Sequence, residues 1–337
     1  MEALKNLIRS SYYGMATMPG IKWLSRPWRG KGAILCYHRV LPGEQVRADV
    51  SPNKGLAVSA ERFEEQMRHL SENYNVVSMD RMVEHVMNGG KEFLVAVTFD
   101  DGYKDNYQYA YPILKKYRIP ATIYVITRFL EGDTSMWWKE LWERLAEAEE
   151  FEVEVRGERR TWRADSHSAK MQCFKEMRKI LLGSEKEAYL DLVHRISGGA
   201  PKQYPDECMT LEEIRLLDKD ELITIGAHTH SHFCLASLSE NEVVEEMMKS
   251  REILEGALSR PVAHFAYPYG RAHEVGKMAS MLAGECGFVS AVTTDCGTMD
   301  GSCDPMGLKR LSVHDYICRK RMTALMDGFA SLVGRCL

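Results

Sequence analysis

Apolar residues in this chain fall into two alternating arrangements. Short runs rich in β-branched and aromatic side chains read as buried strands: Ala33–Tyr37, Leu94–Phe99, Thr122–Ile126, Leu222–Ile225, Val262–Tyr267, Phe288–Thr293 and Leu308–Val313. Between them, apolar residues recur every three to four positions, which predicts helices near Ala60–Leu70, Arg81–Met87, Asn106–Tyr117, Glu240–Ala257 and Arg319–Leu332, with a short strand at Tyr74–Val77. Punctuation supports this division. Pro120 separates a helix from its following strand, and Thr210-x-x-Glu213 and Ser239-x-x-Glu242 are capping boxes. Strand and helix alternating in this way predict an α/β protein.

From about residue 128 to 208 the alternation lapses. Charged helical stretches near Trp138–Glu149, Ala169–Leu182 and Glu185–Ile196 surround a hairpin expected over Phe151–Arg163, which predicts a mainly helical insertion. Met171, Phe174, Met177, Ile180 and Leu181 have core-facing spacing, whereas Trp137, Trp138 and Trp142 suit either packing or stacking on a ligand. The insertion is expected to cap one side of the site and set specificity. The rest is expected to divide into a basic, aromatic segment over residues 1–31 and one domain over 32–337.

Composition narrows the function. A chain of 337 residues with 45% apolar content can bury one large core, and a net charge of -4 argues against nucleic acid as a partner. Nine cysteines, an odd number with no Cys-x-x-Cys pair, read as thiols in a reducing compartment. With no apolar run long enough to span a bilayer and no secretory signal, the expected location is cytoplasmic. Residues 1–31 nonetheless mix Lys5, Arg9, Lys22, Arg26, Arg29 and Lys31 with Tyr12, Tyr13, Trp23 and Trp28. That mixture suits either peripheral contact with the inner face of an anionic membrane or packing over the barrel.

The chemistry is concentrated at strand ends. Leu94–Phe99 runs into Asp100-Asp101-Gly102-Tyr103, and alternation of side chains lets two adjacent carboxylates take different tasks, one on a metal and one on a proton; an ordinary turn is the competing reading. Downstream, an apolar strand leads to His228-Thr229-His230-Ser231-His232. Two histidines and one carboxylate form a ligand set that leaves positions open for water and substrate. The four-residue separation of His228 and His232 fits two rings facing one ion across a helical turn, with His230 pointing elsewhere.

Taken in order, Thr98-Phe99-Asp100-Asp101-Gly102, His228-Thr229-x-x-His232 and Phe265-Ala266-Tyr267-Pro268-Tyr269-Gly270 resemble the motifs of polysaccharide deacetylases of the NodB-homology type, carbohydrate esterase family 4. The resemblance covers roughly Gly32 to Val313. It implies a distorted (β/α) barrel and divalent-metal-dependent removal of N-acyl groups from amino sugars, with Asp101, His228 and His232 as metal ligands and Asp100 as the base. Zinc is the expected ion, and cobalt or nickel also suits this ligand set.

Where many members of the family carry an Arg that orients the base, this chain has Ala266; Arg310 is the candidate replacement, since a nearby cation keeps a carboxylate ionised. Tyr37-His38-Arg39-Val40 resembles the early strand of an exopolysaccharide-modifying subgroup and makes His38 the favoured proton donor. His314, beside Asp315, is the competitor. Tyr269, through its backbone N–H, Tyr103 and Trp138 are the candidate substrate contacts. The expected reaction is N-deacetylation of an amino sugar in a lipid-linked or nascent glycan. N-deformylation and non-catalytic carbohydrate binding are the alternatives.

Overall fold

The protein is described by a computed structural model covering residues 24–301 and 303–329, together with positions 11, 14, 15, 18 and 20. Lys5, Arg9, Tyr12, Tyr13, Lys22 and Trp23 of the basic, aromatic segment lie outside the described residues, as does the end of the helix expected to reach Leu332. No helix among the described residues is long and apolar enough to cross a membrane.

Seven parallel strands form the centre: β1 (Gly32–Tyr37), β2 (Leu94–Phe99), β3 (Ala121–Val125), β4 (Ile223–Ala227), β5 (His264–Ala266), β6 (Ser290–Cys296) and β7 (Leu308–Ser312). They pair in the order β1-β7-β6-β5-β4-β3-β2, and β2 returns to β1, so the sheet closes into the expected (β/α) barrel. The closing seam aligns Tyr37 with Phe99 on one side of β1 and Leu35 with Leu311 on the other. A two-residue strand, Asn75–Val76, adds to the start of β2.

Alternation along each strand sorts its side chains into two layers. Leu35, Val97, Ile123, Ile225 and Leu311 point outward and pack with the surrounding helices. Ile34, Leu94, Ala96, Tyr124, Ala266, Val292 and Leu308 fill the lumen, against Met79, Met82, Val83 and Val86 of helix Met79–Met87. Every residue of β1 and β2 is therefore buried, and this is why these strands read as continuous apolar runs. The inward phase continues upward through Cys36 on β1 and Thr98 on β2, His38 and Asp100 just beyond the ends of these strands, and Arg310 on β7. Polar chemistry is thus stacked on an apolar plug at the end of the barrel where the strands finish.

Between β3 and β4 lie helix Trp137–Glu147, the antiparallel hairpin Glu150–Val155 and Glu158–Arg163, and helices His167–Leu182 and Lys186–Ser197. Arg156 and Gly157, both left-handed, turn the hairpin. Three features were not expected from sequence: helix Gly43–Ala48, the parallel pair Arg39–Leu41 and Ala57–Ser59, and helix Ala272–Glu285, which is interrupted at Gly276. The cysteines also depart from the all-thiol expectation. Cys36, Cys173, Cys208, Cys234 and Cys286 are buried free thiols, whereas Cys296 is disulfide-bonded.

Candidate active site

Asp101, His228 and His232 converge at the mouth of the barrel. Asp101 Oδ1 lies 3.4 Å from Nε2 of each histidine, and all three side chains are buried. Ligands about 2.1 Å from a tetrahedral ion are separated by about 3.4 Å, so the spacing fits a zinc-sized cation. His228 is oriented by its other nitrogen, Nδ1, which is 2.7 Å from the Ala266 carbonyl. An N–H donated there leaves the Nε2 lone pair facing Asp101.

A helical turn does not bring the two rings together, contrary to the spacing argument. Thr229 and His232 both have φ 60, and the His232 N–H donates to Thr229 Oγ1 at 2.9 Å. The chain reverses through two left-handed residues, which side chains with a Cβ resist by about 1–2 kcal/mol each. Asp101 is a third such residue, at φ 74. Protonation also suits cation binding. Burial pushes His232 down to about 3, leaving it neutral, and the neighbouring imidazoles outweigh burial at Asp101 and hold its carboxyl below the usual range. At His228, burial opposes the charged form but the two aspartates outweigh it, so its affinity for protons is raised.

His230 points away, as expected. Its Nδ1 is 3.1 Å from Thr127 Oγ1 and its Nε2 is 2.8 Å from Lys249 Nζ, which fastens the histidine loop to the rest of the barrel.

Asp100 forms a second cluster. Arg310 grips it with two parallel bonds, Nη1 to Oδ1 at 2.7 Å and Nη2 to Oδ2 at 2.6 Å, and the same guanidinium donates to the Thr293 carbonyl and Thr98 Oγ1. Both members of the pair are buried. Burial alone would raise the carboxyl's pKa; Arg310 outweighs it and holds Asp100 well below the ordinary carboxylate range. Arg310 therefore occupies the place assigned to it by sequence. Cys36 was overlooked: its thiol donates to Asp100 Oδ2 at 3.6 Å, and the signal was its position two residues before His38, in the inward phase of β1.

His38 Nε2 lies 3.9 Å from Asp100 Oδ2, with its side chain partly open to solvent. His314 is placed otherwise. Its Nδ1 bonds to the Gly55 carbonyl at 2.6 Å and its ring stacks on Tyr316. Asp315, the sequence neighbour of His314, accepts from the Ser59 N–H and hydroxyl at the start of helix Ala60–Asn73.

Tyr269 also has a left-handed backbone, φ 61, and its ring centroid is 4.7 Å from that of His232. The turn is fixed by Thr294, which donates its hydroxyl to the Tyr269 carbonyl and its N–H to the Gly270 carbonyl, both at 2.8 Å. From the insertion, Arg178 lies over the Tyr269 ring while pairing with buried Glu274. The tryptophans divide between packing and the site. Trp137 is buried and stacks on Phe174, whereas Trp138 lies against His232 at 5.5 Å between centroids. Tyr103 is buried under the Arg39 guanidinium.

Residues 88–179 and 191–284 match the family described as polysaccharide deacetylase. A Bacillus subtilis (strain 168) protein, YxkH, whose provisional name is polysaccharide deacetylase, is 36% identical over 107 residues, a stretch that spans 31% of this chain and 35% of that protein. Among solved structures, Streptococcus pyogenes deacetylase PplD, determined in complex with acetate, is 20% identical with a TM-score of 0.59, over 87% of this chain and 97% of that one. A de-N-acetylase from Aggregatibacter actinomycetemcomitans is 16% identical with a TM-score of 0.56, over 87% of this chain and 99% of that one. Both share the barrel fold described above.

Proposed function

Because this chain belongs to the polysaccharide deacetylase family, we propose that it removes the N-acetyl group from an amino sugar in a lipid-linked or nascent glycan, using a divalent metal, zinc first among those that suit the ligands. The observation that carries the reading is the pairing of two clusters: three metal-compatible donors at Asp101, His228 and His232, and beside them a carboxylate, Asp100, kept ionised by Arg310. A solved fold neighbour holding acetate and another named for de-N-acetylation support the choice of acyl group.

Asp101, His228 and His232 would hold the ion. When bound, it supplies Lewis acidity, easing ionisation of a water and polarising an amide carbonyl. Asp100 accepts the proton of the attacking water. A carboxylate held this far below its ordinary range is a weak base, so the reaction depends on an acidified, well-placed water as much as on Asp100. Arg310 fixes the direction of that carboxylate; Oδ1 keeps a lone pair beyond its bond to the guanidinium, whereas Oδ2 also accepts from the Cys36 thiol. The Tyr269 N–H is assigned to the oxyanion that develops during attack, as a donor held in place by the Thr294 bonds. His38, partly exposed and beside Asp100, delivers the proton that the departing amine requires.

Ser25, Trp28 and Arg29 are engaged with the barrel through Asp327, Thr298 and Phe93, so within residues 1–31 the assignment to an anionic membrane surface at the cytoplasmic face, where a lipid-linked substrate would be presented, is confined to residues 1–23. The reaction is tested by incubating metal-loaded protein with N-acetylated amino-sugar oligosaccharides and quantifying acetate, formate and new amines. Acetate with matching amine supports the proposal. Formate from an N-formyl analogue, without acetate, makes it a deformylase, and neither product at saturating metal makes it a binding protein.

A further inference from the structure

Among the described residues, Cys36, His38 and Asp100 form a second group of donors able to hold a cation, separate from Asp101, His228 and His232. The mechanism uses Asp100 and His38 for protons and leaves the Cys36 thiol without a task. Its sulfur lies 3.6 Å from Asp100 Oδ2, and His38 Nε2 lies 3.9 Å from the same oxygen. All three donor atoms fall within 4.8 Å of one another. A tetrahedral ion bonded at about 2.3 Å to sulfur and about 2.0–2.1 Å to oxygen and nitrogen sets its ligands about 3.3–3.6 Å apart. The sulfur and oxygen already have this spacing. A small rotation of the partly exposed His38 ring supplies the rest, and the opening beside that ring leaves the fourth position to water.

Asp100 Oδ2 has two acceptor directions, one taken by Arg310 Nη2 at 2.6 Å and the other by the thiol. An ion takes the second by replacing the sulfur's proton: the S–H bond breaks, the proton leaves to water, a metal–sulfur bond forms and no electron is transferred. The new thiolate offsets part of the ion's charge, so filling the site adds one net positive charge rather than two. Burial pushes the Cys36 thiol well above its ordinary range, and only an ion with strong affinity for sulfur displaces that proton. Zinc and cobalt qualify; magnesium, which prefers oxygen, does not. Proton displacement and the neighbouring Arg310 make this site weaker than the first, so it empties on dialysis that the first ion survives.

We propose that Cys36, His38 and Asp100 form a second, inhibitory site for a thiophilic divalent cation, which when filled withdraws the base and the proton donor together. The enzyme is active with one ion and silenced by a second. The inhibition rests on the deacetylase reading; binding at the three donors does not.

The test titrates metal-free protein with cobalt(II), whose absorption separates the sites. An ion on Asp101, His228 and His232 has no sulfur ligand, whereas one on Cys36 gives a thiolate-to-cobalt charge-transfer band in the near ultraviolet. The band is expected with the second equivalent and not the first. Acetate release from an N-acetylated oligosaccharide, maximal near one equivalent, should fall by at least about 10²-fold as the band saturates. Cys36→Ser should abolish the band and Cys318→Ser should retain it, while His38→Gln should need at least about tenfold more cobalt to reach it. His228→Ala, which loses the first ion, should still develop the band in excess cobalt, and magnesium should give neither band nor inhibition. A band that survives in Cys36→Ser, an unchanged cobalt requirement in His38→Gln, or no band in the unaltered protein overturns the site. A band without loss of acetate release overturns the inhibition. The band in a protein that releases no acetate at any cobalt concentration keeps the site and removes the deacetylase reading, and undiminished acetate release without the band does the reverse.

Discussion

Replacing Arg310 by Met would leave the Asp100 carboxylate buried without its partner. In the intact protein Asp100 and Arg310 are 2% and 0% exposed, joined by bonds of 2.7 and 2.6 Å. Removing one member of a buried pair costs about 3–5 kcal/mol, most of it the penalty of the orphaned charge. The pH dependence fixes the sign. Asp100 now has a folded pKa below its unfolded one, so its contribution is present above the unfolded value, near 3.9, and is lost as pH falls through the folded value. In Arg310→Met, burial acts unopposed by the guanidinium, and the folded pKa moves above the unfolded one. The deficit relative to the intact protein should then shrink as pH falls from 7 towards 5. Urea unfolding at both pH values reads this directly, and Asp100→Asn in the same background should recover at least about 2 kcal/mol as coupling energy. The acidic limb of kcat/KM should also move to higher pH, because a less acidic Asp100 needs a higher pH to be in its base form. A loss below about 1 kcal/mol at pH 7 with an unmoved acidic limb would refute the reasoning.

Metal content measured by mass spectrometry should fall to background in His228→Ala and His232→Ala and stay near that of the intact protein in His230→Ala; equal loss in all three would place the ligands elsewhere. His38→Ala should lower turnover of an amide by about 10²–10⁴-fold with metal retained, and much less for an activated ester, whose leaving group needs little protonation. If His314→Ala shows that pattern instead, the late histidine is the proton donor. Removal of residues 1–23 should release the protein from anionic vesicles, with an effect that weakens as salt is added, since each basic residue near the surface contributes about 1 kcal/mol. Vesicle association that survives both truncation and high salt would assign membrane contact to another part of the chain.

The barrel was largely legible because its strands are covered on both faces, so Leu94–Phe99 and Ala33–Tyr37 are apolar at every position and leave little choice of structure. Arg310 was visible for another reason: Ala266 stands where the family resemblance implies an Arg, and a cation on the late strand could take that place beside Asp100. Backbone geometry was not legible. Nothing in Thr229 or His232 announces a left-handed residue, so a helical turn looked like the simpler way to juxtapose two histidines. Helix Ala272–Glu285 was hidden by Gly276, which breaks its period. The tryptophans could not be sorted in advance, because whether Trp137 or Trp138 meets the site depends on how the insertion docks on the barrel, and that is decided by contacts distant in sequence.

Closure of the barrel separates Asp100 from Arg310 by 210 residues of chain. At about 5–20 residues per second, a ribosome releases Arg310 roughly 10–40 s after Asp100. Throughout that interval β1 has β2 available but not β7, and the carboxylate cannot be buried in its ionised form because its counter-charge has not yet been made. Asp100 stays solvated or protonated in a nascent chain, and the lumen above the apolar plug cannot reach its final packing until the last strand arrives. Assembly of the Asp100–Arg310 pair thereby becomes a checkpoint on completion of the polypeptide: a chain truncated before Leu308 retains all three metal-compatible donors and lacks the group that holds Asp100 ionised.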